Sequence, residues 1–296
     1  MLCEQEGLIL RFLSDMFNLS PAREGRGRPD SVPESSRAPD NGCKGSLCTP
    51  DRYLSISVDD GHPTDFRTAE LLNKYGLNAT FYVPATNSER EVISKQQVRE
   101  LASRFEIGGH TLNHVTLTSV PPERAWAEIY NGKKWLEEAV GTKVLSFCYP
   151  RGKFNRQVVA MTRRAGFIGA RTCLFNVHRL PRDPFICGVS TLAHNKLSRM
   201  LQVRHGLLEG NFEGIVNFFT IHKGVTDWQT QYMQALEHVY RRGGVAHLYL
   251  HSWAIDDDHE WGKLEAVFQV LRDRQCFTSV SNGQLFQLSR MRHNAS

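Results

Sequence analysis

No stretch of this 296-residue chain approaches the roughly 18–20 consecutive apolar residues that a membrane-spanning helix needs. The N-terminus also lacks the basic start and unbroken apolar run of a secretory signal. It opens on Met1-Leu2-Cys3-Glu4, and Arg11 and Asp15 interrupt the run from Leu8 to Leu13. A short amphipathic helix and a cytoplasmic location are the expectations. A disulfide framework is missing too. The seven cysteines (Cys3, Cys43, Cys48, Cys148, Cys173, Cys187 and Cys276) are odd in number and irregular in spacing. They form no zinc-ribbon pattern, and reduced thiols are expected, with Cys43–Cys48 the one pair placed to bridge in an oxidising compartment. There is no internal repeat. Hydrophobic residues at 41% and charged residues at 23% exclude a wholly disordered chain, a coiled coil and a collagen.

Neither sign of charge dominates: 36 Lys+Arg against 31 Asp+Glu leaves +5. The distribution is uneven. Residues 1–50 carry 6 − 7 = −1, and residues 151–210 carry 11 − 2 = +9. A basic stretch of this size suits an anionic partner, unless its charges sit on several solvated helix faces. No nucleic-acid motif accompanies it, so no nucleic acid is expected as partner. Pro21, Pro29, Pro33, Pro39 and Pro50, with interspersed Gly and Ser, mark a flexible linker. The expected organisation is an N-terminal segment and linker over 1–50 and one catalytic domain over 51–296.

From Asp51 onward β-rich runs alternate with helical spacing. Strands are predicted at 53–58, 79–83, 105–107, 144–149, 167–171, 215–221, 245–250 and 277–280. Helices are predicted at 64–75, 94–104, 121–140, 154–165, 229–242 and 259–274. This alternation implies α/β architecture with a mainly parallel sheet, open or closed into a barrel. Active sites of such folds lie at the C-terminal ends of strands. Four polar clusters stand there.

Ser57-Val58-Asp59-Asp60-Gly61 sets two carboxylates at a strand end. Asp-Gly is also ordinary turn chemistry. Held together, like charges are costly unless a cation sits between them or one stays protonated; one Asp then ligates and the other serves as base. His110-Thr111-Leu112-Asn113-His114 places two histidines at i, i+4, which on a helical turn share a face and suit one metal. Phe147-Cys148-Tyr149-Pro150-Arg151-Gly152 is a strand-terminating turn able to aim a backbone N–H at developing negative charge. His251, in Leu250-His251-Ser252-Trp253, is a candidate general acid. Two His and one carboxylate also occur in non-haem iron oxygenases, but that reading leaves the pairing of Asp59 with Asp60 unexplained.

In this order the four clusters resemble the polysaccharide deacetylase family, the carbohydrate esterases related to nodulation-type chitooligosaccharide deacetylases. The resemblance covers about residues 51–290. It implies a distorted (β/α) barrel with fewer than eight complete units and a metal-dependent hydrolase removing N-acetyl groups from an amino-sugar glycan. It implies Asp60, His110 and His114 as metal ligands, Asp59 as base, His251 as acid and the Arg151 backbone N–H at the oxyanion. The metal it implies is a single divalent ion, usually zinc, sometimes cobalt. Tyr149, Pro150 and Trp253 are the candidate substrate-lining positions. Asp227-Trp228 joins them if it is the family's Asp-Trp pair; otherwise Asp227 is a helix N-cap. One departure stands out: Cys148 occupies the place of an Arg that orients the base, and Arg151 or Arg182 is the expected substitute. A deformylase or cyclic-amide hydrolase of the same fold, acting on a phosphate-bearing sugar lipid or ureide, and a catalytically weakened glycan-binding module remain as alternatives.

Overall fold

The computed structural model describes residues 51–194 and 198–295. The expected amphipathic segment and linker, with Cys3, Cys43 and Cys48, lie outside them. In chain order the elements are β1 (Arg52–Asp59), α1 (Asp65–Tyr75), β2 (Thr80–Val83), α2 (Lys95–Ala102), β3 (Glu106–Gly109), α3 (Pro122–Val140), β4 (Ser146–Cys148), α4 (Arg156–Arg164), β5 (Gly169–Arg171) and β6 (Thr191–Leu192). There follow α5 (Arg199–Leu208), α6 (Phe212–Thr220), α7 (Trp228–Arg242), β7 (Gly244–Leu250), α8 (Ser252–Asp257), α9 (Trp261–Arg272), β8 (Thr278–Ser279) and α10 (Asn282–Ala295).

Every strand pairs in parallel, in the order β5-β4-β3-β2-β1-β7-β6, with β8 beside the first half of β1. The two ends of the sheet are linked by irregular backbone. Cys187 bridges to Arg171 on one side. Ser190 donates its N–H to His247 O at 3.0 Å on the other. The result is the expected distorted (β/α) barrel, in which complete strand–helix units do not run all the way round.

Strand alternation explains how this scaffold points chemistry inward. Leu54, Ile56 and Val58 of β1 enter the apolar core under the helices. Ser55, Ser57 and Asp59 face the other way, into polar partners: Asn282, His247 and Arg171 respectively. Strand β7 repeats the pattern, with Ala246, Leu248 and Leu250 in the core. His247 and Tyr249 lie on its other face and His251 directly follows.

Two expectations need correction. Residues 215–221 are not a strand: they fall in α6 and the turn after it. Asn211 caps that helix by accepting from Gly214 N at 3.0 Å. The β-branched and aromatic run there merely imitates a strand. The His110–His114 segment is not a helical turn. It is an irregular loop after β3, with Thr111 and His114 at φ 66° and 52°.

Candidate active site and metal centre

The site gathers at the C-terminal ends of β1, β3, β4, β5 and β7. Asp60 follows β1 with φ 82°, a left-handed conformation uncommon for a residue with a Cβ. Gly61 follows at φ 62°, where a Cβ would lie 2.7 Å from Val83 Cγ1. This tight turn sends the two adjacent carboxylates in different directions. Asp60 Oδ1 lies 3.1 Å from His114 Nε2 and 3.6 Å from His110 Nε2. It is buried and accepts no aligned hydrogen bond.

The donor atoms of Asp60, His110 and His114 all lie within 4.8 Å of one another. His110 Nδ1 sits 2.9 Å from Cys148 O. A carbonyl only accepts, so Nδ1 carries the proton and Nε2 presents its lone pair to the cluster. One carboxylate and two imidazoles, with an orphaned buried oxygen between them, fit a divalent metal. Asp60 Oδ2 is held separately by Trp253 Nε1 at 2.9 Å. Burial would raise the Asp60 carboxyl, but His110, His114 and His251 outweigh it and hold the group far below the usual carboxylate range.

Asp59 has a different environment. Its Oδ2 accepts from Arg171 Nη2 and from the Cys148 thiol at 3.5 Å. Its Oδ1 is buried without a partner among the described residues. Arg171 is fully buried; its guanidinium lies 4.0 Å from the Tyr249 ring centroid and donates Nη1 to Cys173 Sγ at 3.4 Å. Burial would push Asp59 up, and the Arg171 guanidinium with His110 and His251 reverses that, leaving the carboxyl below its ordinary value. Asp59, His110 and Cys148 also place donor atoms close together. The guanidinium already neutralises that corner, so of the two clusters the one at Asp60 is the better candidate for a cation.

Arg171 was the residue sequence reasoning missed, and it corrects the expectation for Arg151 and Arg182. Its register partner across the β4–β5 ladder is Cys148. The positive charge absent from the end of β4 is therefore supplied from the neighbouring strand at the same level. An Arg inside the β-rich run Phe167-Ile168-Gly169-Ala170-Arg171 was the available signal, since a charge on a buried strand needs a partner. Arg151 instead pairs through its exposed side chain with Glu89, and its backbone has φ 57° in the turn after Tyr149.

His251 follows β7, partly buried. Its Nε2 is 3.0 Å from Tyr249 Oη and 3.8 Å from Asp60 Oδ2, and its ring stands 5.1 Å from Trp253. Burial lowers its pKa, with Asp60 and Asp59 opposing. Trp253 is half-buried beneath Arg90, whose guanidinium lies 4.0 Å from the indole. Tyr149 and Pro150 are buried. Tyr149 donates its hydroxyl to Phe185 O and stacks on Phe154 inside the apolar core, so the expectation that its side chain lines the pocket needs correction.

Asp227 and Trp228 are not brought to this cluster. Asp227 caps α7 by accepting from Thr230 N at 2.9 Å, and it pairs with Lys263 at 3.0 Å. Trp228 is fully buried and donates Nε1 to Glu260 at 2.7 Å. A sealed indole cannot line an open pocket, so the N-cap alternative is the one realised. Five of the 11 basic residues in the stretch 151–210 are matched internally. Arg151, Lys153, Arg163, Arg171 and Arg179 pair with Glu89, Glu209, Asp183, Asp59 and Glu213.

Comparison with known proteins agrees with this architecture. The sequence profile of the polysaccharide deacetylases matches residues 46–170. Over 147 residues the chain is 30% identical to the peptidoglycan-N-acetylglucosamine deacetylase of Bacillus cereus, an alignment covering 49% of this chain and 66% of that protein. The chain thus spans just under two thirds of that relative's length. Two solved structures share the fold. A Mycobacterium smegmatis protein assigned to the polysaccharide deacetylases superposes with TM-score 0.55 at 12% identity, over 82% of this chain and 92% of its own. A family 4 acetyl xylan esterase from Clostridium thermocellum, in complex with a cobalt ion, superposes with TM-score 0.51 at 15% identity, over 80% and 91%. Residues 46–170 thus resemble the polysaccharide deacetylases in sequence, and the described residues share the fold of these two structures.

Proposed function

We propose that the protein is a metal-dependent hydrolase that removes N-acetyl groups from an amino-sugar glycan and releases acetate. The observation that carries the reading is the division of labour between two adjacent carboxylates. Asp60 turns toward two histidines, while Asp59 keeps one oxygen free and the other clamped by Arg171. A divalent ion held by Asp60, His110 and His114, with zinc or cobalt suited to that donor set, would supply a Lewis acid and a water of lowered pKa.

The chain's own groups complete the chemistry. Asp59 Oδ1 accepts the proton of the attacking water. Arg171 keeps that carboxylate ionised and fixes its orientation through Oδ2. The backbone N–H of Arg151, set by the left-handed turn, is the donor for the oxyanion. His251 Nε2 delivers a proton to the departing sugar amine, its ring positioned by Tyr249 Oη and flanked by Trp253. The bonds balance: the amide C–N bond breaks, a C–O bond forms, and water supplies the oxygen. At the mouth Arg151 and Lys153 are already matched by Glu89 and Glu209, which favours a neutral glycan segment next to the scissile amide.

The test is acetate release from N-acetylated chitooligosaccharide, peptidoglycan, a nucleotide-linked amino sugar and an acetylated surface polysaccharide, with and without chelator. Chelator-sensitive acetate from an amino-sugar glycan is expected, restored by added zinc or cobalt. Absence of acetate from all four, or release indifferent to chelation, would overturn the proposal.

A further inference from the structure

The hairpin α5–α6 carries an outer surface that the catalytic reading does not use. At 100° per residue, Met200, Leu201, Arg204, Leu207 and Leu208 fall on one face of α5. Phe212 and Val216 fall on one face of α6. All seven are exposed, and the extent is large for apolar side chains: Met200 81%, Leu208 71% and Phe212 66%. The opposite faces are anchored. Asn211 and Asn217 donate side-chain N–H groups to Phe175 O and Asn176 O, both at 2.8 Å. A Cβ on Gly206 would lie 2.6 Å from Ile215, so the two helices are closely packed. The apolar faces therefore belong to a fixed amphipathic unit.

A cleft of about 330 Å³ adjoins it. Glu213 and Asn217, each one residue beyond Phe212 and Val216 on α6, line it together with Arg179, His238, Arg242 and Arg292. Three guanidinium groups thus face one carboxylate. Arg179 pairs with Glu213, Arg292 pairs with Asp51, and Arg242 has no ion pair among the described residues. Arg199 and Arg204 on α5 are also exposed without an ion pair among them. The hairpin thus carries two exposed guanidinium groups beside a cleft lined by three more.

We infer that the α5–α6 hairpin and its arginine-lined cleft form a docking surface for an anionic lipid bilayer. Apolar side chains on a rigid helix face enter the boundary between headgroups and acyl chains, and the neighbouring guanidinium groups meet lipid phosphates. The charge beside the apolar stripe selects this occupant over a second copy of the chain, which would set arginines against arginines. None of the described helices is long and apolar enough to span a membrane, so the association is peripheral. The cleft includes Gly244, the first residue of β7, whereas His251 follows the last. A strand of that length spans about 20 Å, which separates the cleft from His251, whereas the far end of α5, where Glu209 pairs with Lys153, lies nearer the Arg151 turn.

Co-sedimentation of the full chain with phosphatidylglycerol–phosphatidylcholine vesicles tests this. The wild type should pellet with them and stay in solution with pure phosphatidylcholine. Phe212→Asp and Arg242→Glu should each weaken partitioning about tenfold or more, while both variants keep the wild-type melting temperature. Failure of the wild type to bind anionic vesicles, or equal binding to both vesicle types, would overturn the inference. So would a dimer in sedimentation velocity that Phe212→Asp dissolves, since a second copy would then cover the face.

Discussion

Arg171 and Cys148 show how one charge can be relocated without moving its target. They are register partners, and both reach Asp59 Oδ2. Asp59 is buried, so its ionised form depends on a counter-charge. Arg171→Met should cost about 3–5 kcal/mol of stability, the usual loss when one partner of a buried pair is removed. It should also lower kcat more than it raises KM, because the base loses orientation rather than affinity for the glycan. Adding Cys148→Arg to that variant returns a guanidinium to the same carboxylate from the adjacent strand. Urea unfolding and steady-state kinetics should both recover in part; no recovery of kcat would show that Arg171 acts only on stability. Asp59→Asn and His251→Ala test the proton-transfer groups themselves. Each should reduce acetate release about 10²–10⁴-fold, with unfolding midpoints that leave the protein folded at assay temperature. Near-normal turnover in either would remove that residue from the mechanism.

The loop from His110 to His114 shows what a helix contributes to a site it does not enter. Glu128 on α3 is buried and accepts from both Asn113 N and Asn113 Nδ2 at 2.9 Å. Gly132, one turn further on, lies so close that a Cβ would be 2.6 Å from the Thr111 carbonyl carbon. Helix α3 is thus the template for the loop that carries His110 and His114. Gly132→Ala should displace that loop, at a cost of about 1–3 kcal/mol for overpacking. Its clearest effect should be weaker metal retention, read by competition with a chromogenic chelator; unchanged retention would mean that the loop holds its shape unaided. The clustering of Asp60, His110 and His114 was legible from sequence, because Asp-Asp-Gly and His-x-x-x-His stand where β-rich runs stop. The loop conformation was not, since Thr111 and His114 adopt positive φ for reasons that lie on α3. Arg171 escaped for a related reason. Its importance depends on which strand lies beside β4, and no single-strand pattern contains that. The run 215–221 misled because its residue types favour strands, whereas Asn211 and the packing of α5 decide for helix.

Buried histidines on both sides of the sheet couple the fold as a whole to pH. His178 and His222 face each other, Nε2 to Nε2, at 3.1 Å, and His247 hydrogen-bonds Ser57 at 2.9 Å. Burial pushes His222 down to about 4 and, with the Arg171 charge, His247 down to about 3. His178 is lowered as well, by burial and by its two histidine neighbours. In the unfolded chain these groups titrate near 6.5. As pH falls below that value the unfolded state takes up protons that the folded state cannot, so stability declines until the folded values are reached. The buried Asp65, raised mainly by burial, acts in the opposite direction above its unfolded value of about 3.9. Three histidines against one carboxyl leave a net loss toward acid. Each histidine contributes a slope of about 1.4 kcal/mol per pH unit within its window. Urea unfolding between pH 7 and pH 4.5 should therefore show a falling midpoint. His222→Gln, which keeps a polar group beside His178, should make that fall shallower by about one histidine's share. An unchanged slope in the variant would mean that His222 is protonated in the folded state, and that the pair with His178 is held by a shared proton instead.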